Sequence, residues 1–234
     1  MKKTLILIGA LLVMPMLYTP ASAQDEEEGR LIIARSHNDK FELEICTHMG
    51  WGYNIVKTDD FTPSASDEFF VNIAKFLLHP TESFGIELGI DYKTLGFESK
   101  EDAFYKTDYL FALTKPYSSK YPGELSKNFS RLRTNTFSAP LIFKFCAGDF
   151  HIGGGIEGNL NLTGRIKDKY FKDGKKVKNI EKGIQFNRYT YNFMAAASYA
   201  DTGIYFKYYP KSSRLMPEGG LDVDFMTVGV ILDF

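Results

Sequence analysis

Beyond its first residues the chain lacks any run of about 18 apolar residues, so no membrane-spanning helix is predicted for the body of the protein. Cysteine is scarce: Cys46 and Cys146 are the only two, too few for a disulfide framework. The strand register proposed below puts them on strands that are not neighbours, so no bond between them is expected. Net charge is nearly absent, with 28 Lys and Arg against 29 Asp and Glu. That balance excludes the basic bias of a nucleic-acid-binding domain. The four histidines, His37, His48, His79 and His151, show no metal-ligand spacing. No metal, cofactor or catalytic residue is predicted.

What the chain has in quantity is aromatic: 20 Phe and 14 Tyr beside a single Trp. It also has a distinctive start. Met1-Lys2-Lys3, the apolar run 5–17 and the small residues Ala21 and Ala23 have the anatomy of a cleaved secretory signal peptide. The run is too short for a spanning helix and contains Pro15. The predicted organisation is therefore a signal peptide at 1–23, a polar N-terminal tail at 24–39 and one domain at 40–234.

Within that domain the dominant signal has period two. In residues 41–55 the odd positions Phe41, Leu43, Ile45, Thr47, Met49, Trp51, Tyr53 and Ile55 alternate with Glu42, Glu44, Cys46, His48, Gly50, Gly52 and Asn54. Such alternation marks a strand with one apolar and one polar or small face. Residues 84–92, 137–146, 150–165, 189–199 and 204–208 repeat the design. Residues 69–78, apolar on both faces, and 221–234, regular from Met226, are weaker members. Eight strands result, an even number as bacterial outer-membrane barrels require. Their connections alternate: 79–83, 147–149 and 200–202 are short, whereas 57–68, 98–130, 166–185 and 210–220 are long and polar. All long loops then leave one end, as the extracellular loops of such barrels do.

The predicted fold is all-β, an eight-stranded antiparallel up-and-down transmembrane β-barrel with both termini in the periplasm. In lipid every backbone polar group needs a partner within the protein, so a sheet there must close. Eight strands leave an interior that side chains fill. Glu42, Glu44, His48, Glu87, Asp91, Lys93, Lys144, His151, Glu157, Arg165 and Lys207 are the predicted lumen network, with both signs present so that charges pair. Trp51, Tyr53, Tyr189, Tyr191 and Tyr199 are the predicted interfacial aromatics. A plugged interior, not a channel, is expected.

Two motifs invite other readings. Gly153-Gly154-Gly155-Ile156-Glu157-Gly158 matches G-x-G-x-x-G, but a dinucleotide site needs those glycines to open a helix. Here the alternation runs through them, as strand glycines that allow close backbone approach. The basic stretch 167–182 would touch lipopolysaccharide phosphates or simply form a solvated hairpin turning at Asp173-Gly174; the hairpin is favoured. Ser118, Ser119 and Ser130 lie in a long loop without a convergent His and carboxylate.

Ser138-Ala139-Pro140-Leu141-Ile142-Phe143-Lys144-Phe145 with Phe150-His151-Ile152-Gly153-Gly154-Gly155 resembles a hairpin of the PorT-like outer-membrane β-barrel family of Bacteroidetes. Ile204-Tyr205-Phe206-Lys207-Tyr208-Tyr209-Pro210 is similar to that family's penultimate strand, and Val228-Gly229-Val230-Ile231-Leu232-Asp233-Phe234 to its closing strand. The resemblance implies outer-membrane placement and a terminal aromatic, Phe234, read by the barrel-assembly machinery. It carries over no catalytic residue, although the name-giving member serves a secretion system. The expected function is structural, surface-interacting or secretion- or assembly-accessory, with outer-membrane lipid, lipopolysaccharide and an envelope protein as partners. The alternatives are a lipid-modifying outer-membrane enzyme and a soluble periplasmic barrel that turns its apolar face inward around an apolar ligand.

Overall fold

Alternating strands of this length leave each backbone group one economical partner, the neighbouring strand, and the structure pairs them in sequence order. The computed structural model describes residues 31–35, 41–45, 47–121, 126–172 and 174–233. The signal peptide, Cys46 and Phe234 lie outside the described residues. The strands are β1 (Leu31–Arg35), β2 (Phe41–Ile45), β3 (His48–Lys57), β4 (Asp67–Thr81), β5 (Phe84–Ser99), β6 (Asp102–Lys106), β7 (Ala112–Pro116), β8 (Ser126–Ala147), β9 (Phe150–Lys172), β10 (Lys175–Ile184), β11 (Tyr189–Tyr199), β12 (Thr202–Tyr209) and β13 (Asp224–Asp233). One helical turn, α1 (Tyr117–Lys120), follows β7.

Eight of these close a ring in the order β4, β3, β13, β12, β11, β9, β8, β5 and back to β4, antiparallel throughout. β2 continues the stave of β3 below a break at 46–47 and pairs the same neighbour, β4. The ring is tilted. Tyr53 faces Asp67 on β4 in one direction. In the other, the register runs through Val228, Phe206, Ala195, Gly154, Phe143 and Ile86 and returns to β4 at Leu78, eleven residues further along. Such accumulated stagger is what closing inclined strands into a cylinder demands.

The short links are two-residue turns, closed by the pairs Thr81 with Phe84, Ala147 with Phe150 and Tyr199 with Thr202. Gly148 takes the left-handed conformation (φ 60°), and in the third turn Ala200 does so at φ 48°, a strained choice for a residue with a Cβ.

Three differences from the sequence expectations have local causes. Part of the 24–39 tail is strand: β1 pairs β2 from Leu31 opposite Ile45 to Arg35 opposite Glu42. β13 ends at Asp233, opposite His48, so the edge of β2 below it would otherwise be unpaired. The ambiguous 69–78 segment carries a bulge between Asn72 and Ala74, which re-phases its faces. Two of the long links, 98–130 and 166–185, are largely strand, whereas 57–68 and 210–220 are irregular. β5 and β8 run on past the ring, β6 and β7 form a hairpin, and β10 folds back on β9 from Lys175 opposite Lys172. The last is the favoured hairpin, with Gly174 left-handed (φ 73°) at its turn.

Candidate functional site

The interior is filled by charges that answer one another. Near the end that carries the termini Lys75 Nζ lies 2.7 Å from Glu44 Oε2, and Lys144 contacts Glu87. Asn72 Nδ2 donates to Asp91 Oδ1 at 2.8 Å. Above them Lys207 Nζ bridges Glu68 Oε1 at 2.9 Å and Glu157 Oε2 at 2.8 Å. Lys93 contacts Glu157 and donates to Asn159 Oδ1 at 2.6 Å. Tyr209 donates to Glu68 Oε2 at 2.7 Å, and Asn192 to Glu157 Oε1 at 2.9 Å. Two lysines and two glutamates, all essentially without solvent contact, thus sum to zero charge in mid-barrel. Phe70, Ile142, Met194 and Tyr205 pack beside them. Gly52 and Gly229 leave the space that the Tyr205 ring occupies.

Further up, the inward face changes chemistry. On β5 the inward sequence Asp91, Lys93 gives way to Leu95 and Phe97; on β13 Thr227 gives way to Phe225, and on β8 Thr134 to Leu132. These residues join Phe61, Phe104, Ala112, Leu215, Met216 and Leu221 from the connecting segments in one apolar core. The outward face changes in the opposite sense at the same level. Trp51, Ile73, Leu88, Phe143, Ile152, Phe193, Ile204 and Val230 expose apolar side chains around the ring, one from each stave. Above them β8 and β9 turn out Arg131, Arg133, Arg165, Lys167 and Lys169. From Phe84 to Tyr92 the apolar face of β5 spans about 20 Å at a tilt of ~40°, near the ~25 Å apolar band of outer-membrane barrels. The protein is a membrane-spanning barrel of the outer-membrane type, carrying a water-exposed β-cap at the end opposite its termini.

The cap is tied to the ring through Asp168, which is fully buried. It accepts from Lys120 Nζ at 2.9 Å and Tyr121 Oη at 2.6 Å, and from Ser130 Oγ. Ser130 Oγ in turn accepts from the Phe104 amide at 3.0 Å. Tyr117, Tyr121 and Tyr170 cluster alongside, with ring centroids 4.5–6.2 Å apart. Burial first, and then Asp168, hold the Tyr117 and Tyr121 phenols well above the ordinary tyrosine range. Ser130 is thereby engaged in holding the cap. At the β6–β7 turn Tyr109 is 79% exposed and stacks on Phe111, with Leu110 between them at φ 69°; the Leu110 carbonyl accepts from the Gln185 amide at 2.8 Å.

Of the predicted lumen residues, Glu44, His48, Glu87, Asp91, Lys93, Glu157 and Lys207 are buried within the ring. Glu42 and His151 are half-buried toward the end that carries the termini. His151, His48, Lys144 and Asp233 border a cavity of about 50 Å³ there, where His48 Nδ1 lies 3.9 Å from Asp233 Oδ1. Arg165 is a correction: it points outward and is exposed. Thr134 pairs Gly164 while Thr136 pairs Asn161, so β9 holds an extra residue at 162–163. That bulge inverts every side chain beyond it. Thr47 is another exception to the alternation, turned inward against Asn72 Oδ1 at 3.3 Å beside the break. Tyr53, Tyr189 and Tyr191 stand at the cap side of the apolar band; Tyr199 is at the opposite margin and Trp51 within the band. Sequence reasoning missed Glu68, Lys75 and Asp168. Glu68 and Lys75 lie on the strand whose bulge scrambled its periodicity. Residues 153–158 run inside β9, not at a helix start. Among the described residues no group of His, Cys, Asp and Glu is placed to hold a metal ion, and Cys146 is free.

The sequence matches no protein-family model and no curated protein, so the PorT-like resemblance has no family match behind it. Among solved structures the chain is similar to Ail, the attachment invasion locus protein of Yersinia pestis, at 11% identity over 83% of this chain and 97% of that one, with a TM-score of 0.34. It is also similar to the outer membrane protease OmpT of Escherichia coli, at 14% identity over 84% of this chain and 80% of that one, with a TM-score of 0.41.

Proposed function

We propose that this protein is a closed, non-catalytic outer-membrane barrel whose work is surface interaction through its β-cap. The observation that carries the reading is the exchange of chemistry on both faces at one level. A barrel needing only an anchor has no use for an apolar core above the membrane, yet this one builds such a core from four connecting segments. Phe111 packs against that core, which holds the β6–β7 turn with its exposed Tyr109. Beneath it the lysines and glutamates of the lumen pair with one another, which supports a closed interior. Ser130 and Asp168 bind each other and the cap, which supports a role without catalysis. The PorT-like resemblance of residues 132–234 belongs to this proposal as its lineage. A secretion- or assembly-accessory role is the second reading. It is favoured by β1, which extends the wall beyond the ring on the side of the termini.

The test is site-specific photo-crosslinking in intact cells, with the probe at Tyr109 in one strain and at Glu82, in a short turn, in another. A discrete adduct from Tyr109 alone supports the surface role. An adduct from Glu82 alone replaces it with the accessory role. Recovery of the protein in the soluble periplasm, without heat-dependent mobility on cold gels, overturns both.

A further inference from the structure

The bulge that turns Arg165 outward assembles a surface that the sequence disperses over three segments. Past it, the outward face of β9 carries Arg165, Lys167 and Lys169. The register sets Arg133 of β8 opposite Arg165 and Arg131 opposite Lys167. On the other side Lys178 of β10 stands opposite Lys169 and Lys182 opposite Arg165. Like charges directly across a ladder repel, and three adjacent strands here repeat the arrangement. Between β8 and β9 the side chains surround a cleft of about 100 Å³, floored by Phe129. The Lys169 ammonium sits 5.1 Å from the centre of the Phe129 ring.

Little on the protein answers this charge. Asp67, at the β4 edge, contacts Arg131 and lies 3.9 Å from Arg133. Among the described residues no carboxylate forms an ion pair with Arg165, Lys167, Lys169, Lys178 or Lys182. Burial, and then Lys169 and Lys178, hold the Lys167 ammonium below the ordinary lysine range.

Position identifies the ligand. The patch lies directly above the outward apolar residues of the same strands, Phe137 of β8 and Leu162 of β9. It therefore occupies the headgroup level of the outer leaflet. A diffusible anion has no reason to bind there, whereas a phosphorylated lipid places its phosphates beside the patch and its chains against the belt.

We propose that the outward faces of β8, β9 and β10 form a binding site for the phosphates of a phosphorylated glycolipid, the lipopolysaccharide of the outer leaflet, with Arg133, Arg165, Lys167 and Lys169 at its centre. The inference rests on the placement of the cap outside the cell. It turns the basic stretch 167–182 from a solvated hairpin into one wall of a lipid site.

The test titrates the full-length barrel, purified from outer membranes in mild detergent, with three probes: lipopolysaccharide, the same material dephosphorylated, and inorganic phosphate. The triple variant Arg165→Gln, Lys167→Gln, Lys169→Gln is compared with the parent, and heat-dependent mobility verifies that each is folded. A cation near an anionic lipid surface contributes about fivefold in affinity, so the triple is expected to bind lipopolysaccharide roughly a hundredfold more weakly. Dephosphorylated material should fall comparably with the parent, and millimolar inorganic phosphate should not displace the lipid. As a second variant, Asp67→Asn frees Arg131 and Arg133 and should tighten binding. Unchanged affinity in the triple, equal binding of dephosphorylated material, or displacement by inorganic phosphate overturns the site. Biotinylation of intact cells runs in parallel: an unlabelled cap overturns the functional reading itself, whereas a labelled cap with unselective binding overturns the lipid site alone.

Discussion

Replacing Lys207 with Met tests whether the lumen is a dry, self-neutralising plug. The ammonium reaches Glu68 at 2.9 Å and Glu157 at 2.8 Å. Lys93 is the remaining cation, and it approaches Glu68 only to 3.9 Å. Methionine matches the length of the aliphatic stem and stays in contact with the Phe70 ring, over which the ammonium now sits at 4.4 Å. Packing is thereby largely kept while one charge disappears, leaving a buried group of net charge −1. Breaking a buried pair by removing one partner costs about 3–5 kcal/mol, most of it the desolvation of the orphaned charge. Adding Glu68→Gln restores neutrality, so the double variant should recover more than half of that loss. The assay is urea unfolding of the barrel from lipid vesicles, followed by the emission of Trp51, the single tryptophan, and by heat-dependent mobility. A cost under about 1 kcal/mol for Lys207→Met, or a double variant as unstable as the single, would refute the reasoning. Water, not the opposite charges, would then be solvating these groups, and the lumen would be wet.

Trp51 tests the assignment of faces, because it is 57% exposed on the outer wall. Brominated lipids should quench it strongly and aqueous acrylamide weakly; the reverse result would fit a soluble barrel with its faces inverted. Asp168→Ala removes the acceptor shared by Lys120, Tyr121 and Ser130. A hydrogen bond to a charged group is worth about 1.5–3 kcal/mol, so the open population of the cap should rise roughly a hundredfold. Faster tryptic cleavage at Lys120 on an intact ring would show it, and parental resistance would mean the cap is held elsewhere. High pH should act on the same anchor. An unfolded tyrosine ionises from about pH 10, whereas Tyr117 and Tyr121 keep their protons to higher pH because of burial and Asp168. The unfolded cap therefore holds fewer protons than the folded one above that point. Cap stability should be flat below pH 10 and fall above it, and proteolysis rates that stay level through pH 11 would contradict this.

The ring was legible because two signals agreed in it. Period-two alternation located the staves, and the alternation of short and long links ordered their ends. Both survive in the structure down to the two-residue turns. What escaped was set by single-residue events. One extra residue at 162–163 sends Arg165 outward, and one beside Ile73 hides the inward alignment of Glu68 and Lys75. Neither bulge leaves more in the sequence than a pair of same-faced residues. The cap core is different, since its signal was present. Leu95 and Phe97 stand on the parity of Asp91 and Lys93, and Ile166 and Tyr170 alternate with Lys167 and Lys169. Averaging the two faces made these stretches look like polar loops; keeping the faces separate shows one becoming apolar as the other becomes charged.

That exchange also resolves what periodicity leaves open, namely which face meets lipid. A strand in one solvent keeps one face toward it for its whole length. A soluble barrel would be apolar within and charged without from end to end, and a barrel lying wholly in lipid would be the reverse. Here the lower halves of β5, β8 and β9 follow the second rule and their upper halves the first, with the change near Tyr92, Phe137 and Leu162. Two solvents are needed to account for both halves, and the boundary between them is the membrane surface. The arginines and lysines immediately above that boundary are placed where the charge of the bilayer is greatest. The same step that locates the protein in the membrane therefore also selects the part of it that meets lipid phosphate.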